Sequence, residues 1–214
     1  MTATRAAGDG IECGLAVGDR LVDVGFAVPV PGESLSAAAR RLAERLVARR
    51  AGLPGAAVRV AALLPSGRPV ATGPDGILPV SVAMAHERRF VGAAVCDASG
   101  VGIDIVDPAA VRAGLDHWLD AAERGCAGSV TPGMLWAAKE AAYKAARLDA
   151  SFRPLAVSVE PDGDEGFTWR LQDDWRAAHG QGRFLDRGGH LVAVACSTAT
   201  DEPTADEPTR EMNA

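Results

Sequence analysis

What this 214-residue chain lacks narrows its function first. Its four cysteines, Cys13, Cys96, Cys126 and Cys196, are widely scattered with no C-x-x-C spacing. Segments such as GAAVCD and VAVACS therefore read as buried free thiols rather than a redox or metal-binding motif. A basic excess is also missing: the formal charge is -6, and with the acidic stretch at 201–211 set aside the body is close to neutral. A nucleic-acid partner is not expected from such a field. No run approaches the ~20 apolar residues of a membrane span. The opening MTATRAAGDG has no apolar core of a secretory signal. A cytoplasmic protein without membrane contact is the resulting expectation.

What is present is an ordinary globular composition, 48% hydrophobic, long enough for one sizeable domain or two small ones. IECGLAV and RLVDVGFAV are strand-like runs joined by Gly18-Asp19, a hairpin pair. Ser34 or Ser36 caps a helix in which Leu35, Ala39, Leu42, Leu46 and Val47 recur at helical spacing until Gly52 and Pro54 stop it. Strands follow at AAVRVAALL, GRPV, ILPVSVAMA and FVGAAVCD. The second half repeats the plan: a strand at GVGIDIVD, a helix through about Arg124, a longer helix from Thr131 or Pro132 to about Leu148, then strands at LAVSVE, GFTWRL, GRFLD and HLVAVAC. The spacing predicts an α+β fold of two similar halves, 11–99 and 100–197, followed at 198–214 by an acidic disordered tail that repeats DEPT.

Two segments carry the chemistry. In GVGIDIVD, Asp104 stands among Val101, Ile103, Ile105 and Val106, and a charge beside apolar neighbours needs something to offset its cost. In LWAAKEAAYKAARLD, Trp136, Glu140, Tyr143, Lys144 and Arg147 share one side of a helix. Ala137, Ala138, Ala141, Ala142 and Ala145 make the opposite side narrow enough for close approach to a neighbour. Taken alone, Glu140 and Lys144 at i,i+4 read equally well as a surface salt bridge, a contribution of about 0.3–0.5 kcal/mol.

The ordered pair of segments, G-I-D at Gly102, Ile103 and Asp104 and then W-x-x-K-E-x-x-x-K at Trp136, Lys139, Glu140 and Lys144, resembles the signature of the 4′-phosphopantetheinyl transferases. SGRPV and AHERRFVGAAV look like further elements of that family, and the length and duplicated halves resemble its larger surfactin-type branch. The resemblance implies a holo-[acyl-carrier-protein] synthase type of enzyme, acting as a monomer. It would transfer the phosphopantetheine group of coenzyme A to a serine of an apo acyl or peptidyl carrier protein and release adenosine 3′,5′-bisphosphate. It implies magnesium held by Asp104 and Glu140, Glu140 as proton acceptor, and Lys144 as stabiliser of the departing phosphate. Coenzyme A contacts are implied for Arg68, His86, Lys139, Lys144 and Arg45. Arg112, Arg124, Arg88 and Arg89 are candidates for meeting an acidic carrier. Three positions depart from the family pattern: Val106 where the larger branch has a second carboxylate, Ala85 where a serine precedes the histidine, and Arg88 where a small residue is expected. A non-catalytic relative that binds coenzyme A or a carrier protein is the alternative.

Overall fold

The computed structural model describes residues 10–64, 66–97, 100–108, 115–126, 130–147, 151–173 and 176–198. The expected tail, the first residues and Arg112 lie outside the described residues. A four-stranded antiparallel sheet has the order β1-β2-β7-β6, from β1 (Gly10–Val17), β2 (Arg20–Ala27), β6 (Val80–Glu87) and β7 (Phe90–Asp97). A five-stranded one has the order β8-β12-β11-β10-β9, from β8 (Val101–Val106), β9 (Val157–Asp162), β10 (Gly166–Asp173), β11 (Arg176–Arg187) and β12 (His190–Ser197). A small third sheet holds β3 (Arg59–Leu63), β4 (Arg68–Gly73) and β5 (Gly76–Ile77).

Each large sheet carries one long helix. The helix α1 (Leu35–Ala51) starts where the Ser34 side chain accepts the Ala37 N–H and stops at Gly52 in the left-handed region, the usual way a helix begins and ends. Its Leu42, Leu46 and Val47 pack with Val82, Val91, Ala93 and Val95 of the first sheet. The helix α3 (Pro132–Ala145) is capped by Thr131, and its alanines pack with Val159, Phe167, Trp169, Ala193 and Ala195 of the second sheet. Between the sheets lies a third cluster, in which Val24, Phe26, Ala94 and Cys96 meet Ile103, Ile105, Val194 and Cys196. The layers therefore run α1, first sheet, second sheet, α3. Strands covered on both faces read as near-continuous apolar runs, which is why FVGAAVC and HLVAVAC show little alternation.

Two local expectations change. The helix expected through Arg124 is, in its described part, a 3-10 turn at Leu115–Trp118 and then α2 (Ala121–Gly125), whose Asp120 and Glu123 form a reciprocal capping box. The strand expected at GRFLD begins at Arg176 instead. Its glycines suggest a loop, but a Cβ on Gly182 would stand 2.0 Å from the Phe167 ring and one on Gly180 1.8 Å from the Cys196 carbonyl oxygen and 2.9 Å from Trp169. The glycines are strand residues that make room for two buried aromatic rings. No described helix is long and apolar enough to cross a membrane.

Candidate functional site

The alternation of β8 sorts its side chains onto two faces. Val101, Ile103 and Ile105 enter the apolar layer between the sheets, while Gly102 and Asp104 face α3. Glycine at 102 decides how close the helix comes: a Cβ there would stand 1.8 Å from the Ala141 carbonyl oxygen, and one at Gly100 would stand 1.8 Å from that of Ala145. Small residues on both partners thus bring the helix backbone against the strand. Glu140 and Lys144, on the edge of that contact, then reach Asp104.

Asp104 is buried, 7% exposed, and its Oδ1 accepts a hydrogen bond from Lys144 Nζ at 2.8 Å. Lys144 also donates to the Ile103 carbonyl at 3.0 Å and lies 3.8 Å from Glu140 Oε2. Glu140 shares a hydrogen bond with Asp104, and burial together with the Asp104 charge pushes its pKa up to about 7, against the opposing pull of Lys144 and the Trp136 indole N–H. Two carboxylates held together disfavour double ionisation, which raises the proton affinity of Glu140. Among the described residues there is no group of three metal-ligating side chains. Magnesium needs only one or two protein carboxylates, with waters and substrate phosphates completing its shell. Asp104 and Glu140 fit that requirement.

Beside them, α3, β6 and the β3–β4 turn enclose a cleft of about 300 Å³, whose lining includes Ser66, Gly67, Arg68, Tyr143, Lys144 and Arg147. Arg68 ties the β3–β4 turn to the end of α3, donating from Nη1 to the Arg147 carbonyl at 2.9 Å. Arg147 ends the helix with φ at 54°, a left-handed conformation that disfavours any residue but glycine by roughly 1–2 kcal/mol.

The structure thus brings Lys144 and Arg68 to one cleft, with Asp104 and Glu140 beside it, reached through Lys144. His86 is exposed on β6 and Arg45 is exposed on α1, and neither lines the cleft. Lys139 requires a correction. Rather than holding a phosphate, it is 0% exposed, with Nζ 2.7 Å from Glu123 Oε1 and donating to the Pro154 and Val157 carbonyls. Helical geometry turns position 139 away from position 140 by about 100°, into the core. Sequence reasoning missed Glu123 as its partner; the D-x-x-E capping box marks a helix start but does not say where the glutamate's second oxygen goes. It also left Arg147 without a role. Arg88, another candidate, sits at φ 51° in the β6–β7 turn and pairs with Asp107 at 3.2 Å, which keeps Asp107 on the far side of β8 from Asp104. Val106 packs against the apolar core of the second half, and Ala85 is buried between the sheets.

A search of curated proteins finds no match to this chain. Residues 100–195, which supply β8, the Lys139–Glu123 anchor and all three members of the Asp104, Glu140 and Lys144 cluster, match the family model described as the 4′-phosphopantetheinyl transferase superfamily, and that stretch is similar to its members.

Proposed function

We propose that this protein is a phosphopantetheinyl transferase of the holo-[acyl-carrier-protein] synthase type, moving the 4′-phosphopantetheine group of coenzyme A to a serine of an apo acyl or peptidyl carrier protein. The observation that carries the reading is the hydrogen-bonded Asp104–Glu140 pair, held by Lys144 beside a cleft with a cationic wall and lying inside the matched segment. We read the fold as the larger, two-half branch of the family, with 11–99 and 100–197 as its halves related by a pseudo-twofold. The one helix packed on each large sheet supports this. A monomer in the cytoplasm goes with that reading.

In the reaction the serine oxygen forms a bond to the phosphorus carrying the pantetheine. The bond from that phosphorus to the oxygen of adenosine 3′,5′-bisphosphate breaks. Magnesium, when bound by Asp104 and Glu140, supplies charge to the diphosphate oxygens. Glu140, a carboxylate when the cation is bound, is suited to accept the serine proton directly or through a water. Lys144 is held by Asp104 and the Ile103 carbonyl with its ammonium at the edge of the cleft. From there it stabilises charge that develops on the departing phosphate. The apolar wall contributed by Val82, Ala83 and Met84 excludes water from one side.

The test is intact-mass analysis of apo carrier proteins mixed with the protein, coenzyme A and magnesium. A phosphopantetheine adduct on a carrier serine is the expected result. Coenzyme A binding with no adduct on any acyl or peptidyl carrier would instead identify a non-catalytic relative, a reading favoured only by the aliphatic side chains at Val106 and Ala85.

A further inference from the structure

The strands β6 and β8 are edge strands of different sheets. They nevertheless lie against each other, and both contribute to the lining of the cleft. At one end of this seam the Ser81 hydroxyl accepts the Val101 N–H at 3.0 Å in a buried hydrogen bond. At the other, just past each strand, Arg88 pairs with Asp107 at 3.2 Å. Positions 81 and 88 thus meet 101 and 107, so the two edges run in the same direction, held by side chains rather than by a ladder. The two ties are unequal. The Arg88 side chain is 64% exposed, and water screens such a pair. Ser81 is 4% exposed, and a buried backbone N–H that loses its acceptor has no water to replace it.

Asp104 stands between the ties, three residues from Val101 and three from Asp107. On its other side β8 is fastened to the helix: Gly102 packs on the Ala141 backbone, and Lys144 donates to the Ile103 carbonyl and to Asp104. The carboxylate pair and Lys144 therefore form one body with the second sheet. The opposite wall of the cleft, Val82, Ala83 and Met84, belongs to β6 of the first. A ligand that touches both walls depends on the distance between them, whereas a cation held by Asp104 and Glu140 depends on one wall only. We infer that Ser81 is a positioning residue for the reaction. Acting through the Val101 N–H, its hydroxyl fixes where the Asp104, Glu140 and Lys144 cluster stands relative to the β6 wall. The inference rests on the transferase reading above, in which coenzyme A spans that gap.

A matched control lies one residue away. The Ser197 hydroxyl accepts the Gly100 N–H at 2.9 Å, but from β12, which belongs to the same sheet as β8. Ser81→Ala and Ser197→Ala thus strip acceptors from neighbouring N–H groups, and only the first crosses the seam. Wild type, both variants and Ser81→Thr are compared by turnover of an apo carrier across coenzyme A concentrations, magnesium titration without nucleotide, amide exchange at Val101, and melting temperature. Ser81→Ala is expected to speed exchange at Val101 and to lower kcat/KM for coenzyme A roughly tenfold, with wild-type magnesium affinity. Ser81→Thr keeps the hydroxyl and should recover most of both losses. Ser197→Ala should melt lower, as Ser81→Ala does, and keep the wild-type kcat/KM. An unchanged kcat/KM in Ser81→Ala overturns the inference and leaves the transferase reading intact. An equal loss in Ser197→Ala also overturns it, because strand stability alone would then account for the effect. So does a loss in Ser81→Ala with weakened magnesium binding or with unchanged Val101 exchange, since the hydroxyl would then act on the metal site or on the ligand itself. Should Ser81→Ala not fold, Ser81→Val against Ser81→Thr, alike in shape and differing in the hydroxyl, makes the same comparison. Wild type that transfers nothing to any acyl or peptidyl carrier removes the transferase reading, and the inference with it.

Discussion

Gly102 and Ala141 touch where no side chain fits: the Cβ that Gly102 lacks would stand 1.8 Å from the Ala141 carbonyl oxygen, an atom of rigid helix backbone. This contact sets the distance between the strand that carries Asp104 and the helix that carries Glu140 and Lys144. Gly102→Ala must push the helix outward. A loss of about 1–3 kcal/mol is expected from overpacking. Transfer should fall by about a hundredfold, because a misplacement of about 1 Å is enough to spoil the geometry. Urea unfolding and turnover on an apo carrier measure the two effects, and wild-type values for both would show that the helix tolerates the displacement.

Lys139 and Glu123 form a buried ion pair at 2.7 Å. Lys139→Met leaves Glu123 charged and unpaired in the core, which typically costs about 3–5 kcal/mol. Adding Glu123→Gln should recover part of the loss. The folded single variant should bind coenzyme A with wild-type affinity. Normal stability combined with weakened binding would restore the phosphate-holding role that the structure takes away from Lys139.

The proton on Glu140 gives the apo protein a pH dependence of definite sign. Its folded pKa, about 7, lies above the unfolded value of 4.5. The stability it contributes is fully present below about 4.5 and is lost as pH rises through about 7. Asp104→Asn removes the like charge next to it and should shift this midpoint downward. Magnesium competes with the same proton, so titrating the metal into weakly buffered protein near pH 7 should release acid. Proton release below detection, with magnesium bound, would place the ion elsewhere.

Glu140→Gln keeps the shape of the side chain and removes its base. Transfer should drop by at least about a hundredfold, while above pH 7 the thermal midpoint should hold or rise, since the neutral amide no longer repels Asp104. Near-normal turnover in this variant would remove Glu140 from proton transfer.

Thiol chemistry gives an independent check on the layering. Cys96 and Cys196 come from different sheets, are both buried, and share a hydrogen bond that, with burial, raises the Cys196 thiol far above its ordinary pKa. Thiol-directed alkylation of the native protein should therefore spare both and label them only after unfolding. Rapid labelling of either one in the native state would mean the layer between the sheets opens.

Sequence alone was enough to locate most of the elements and to single out Asp104, Glu140 and Lys144, which the fold brings together. Turn pairs such as Gly18-Asp19, the Ser34 and Thr131 caps, the Gly52 stop and the 3.6-residue recurrence in α1 and α3 are local signals, and local backbone preference acts over a few residues. Asp104 stood out because a carboxylate in an apolar strand violates the pattern around it. Tertiary structure decided what each polar side chain meets. Lys139 and Glu140 are adjacent in sequence, yet one is sealed in the core on Glu123 and the other joins Asp104, because the helix rotation between them matters only once a sheet covers one side. It also decided that Gly180 and Gly182 belong to a strand, since the rings that fill their space come from β10, and that Arg68 and Arg147, 79 positions apart, touch across one cleft. Contacts between distant segments follow from how apolar faces stack, and a one-dimensional pattern records which faces are apolar but not which ones meet.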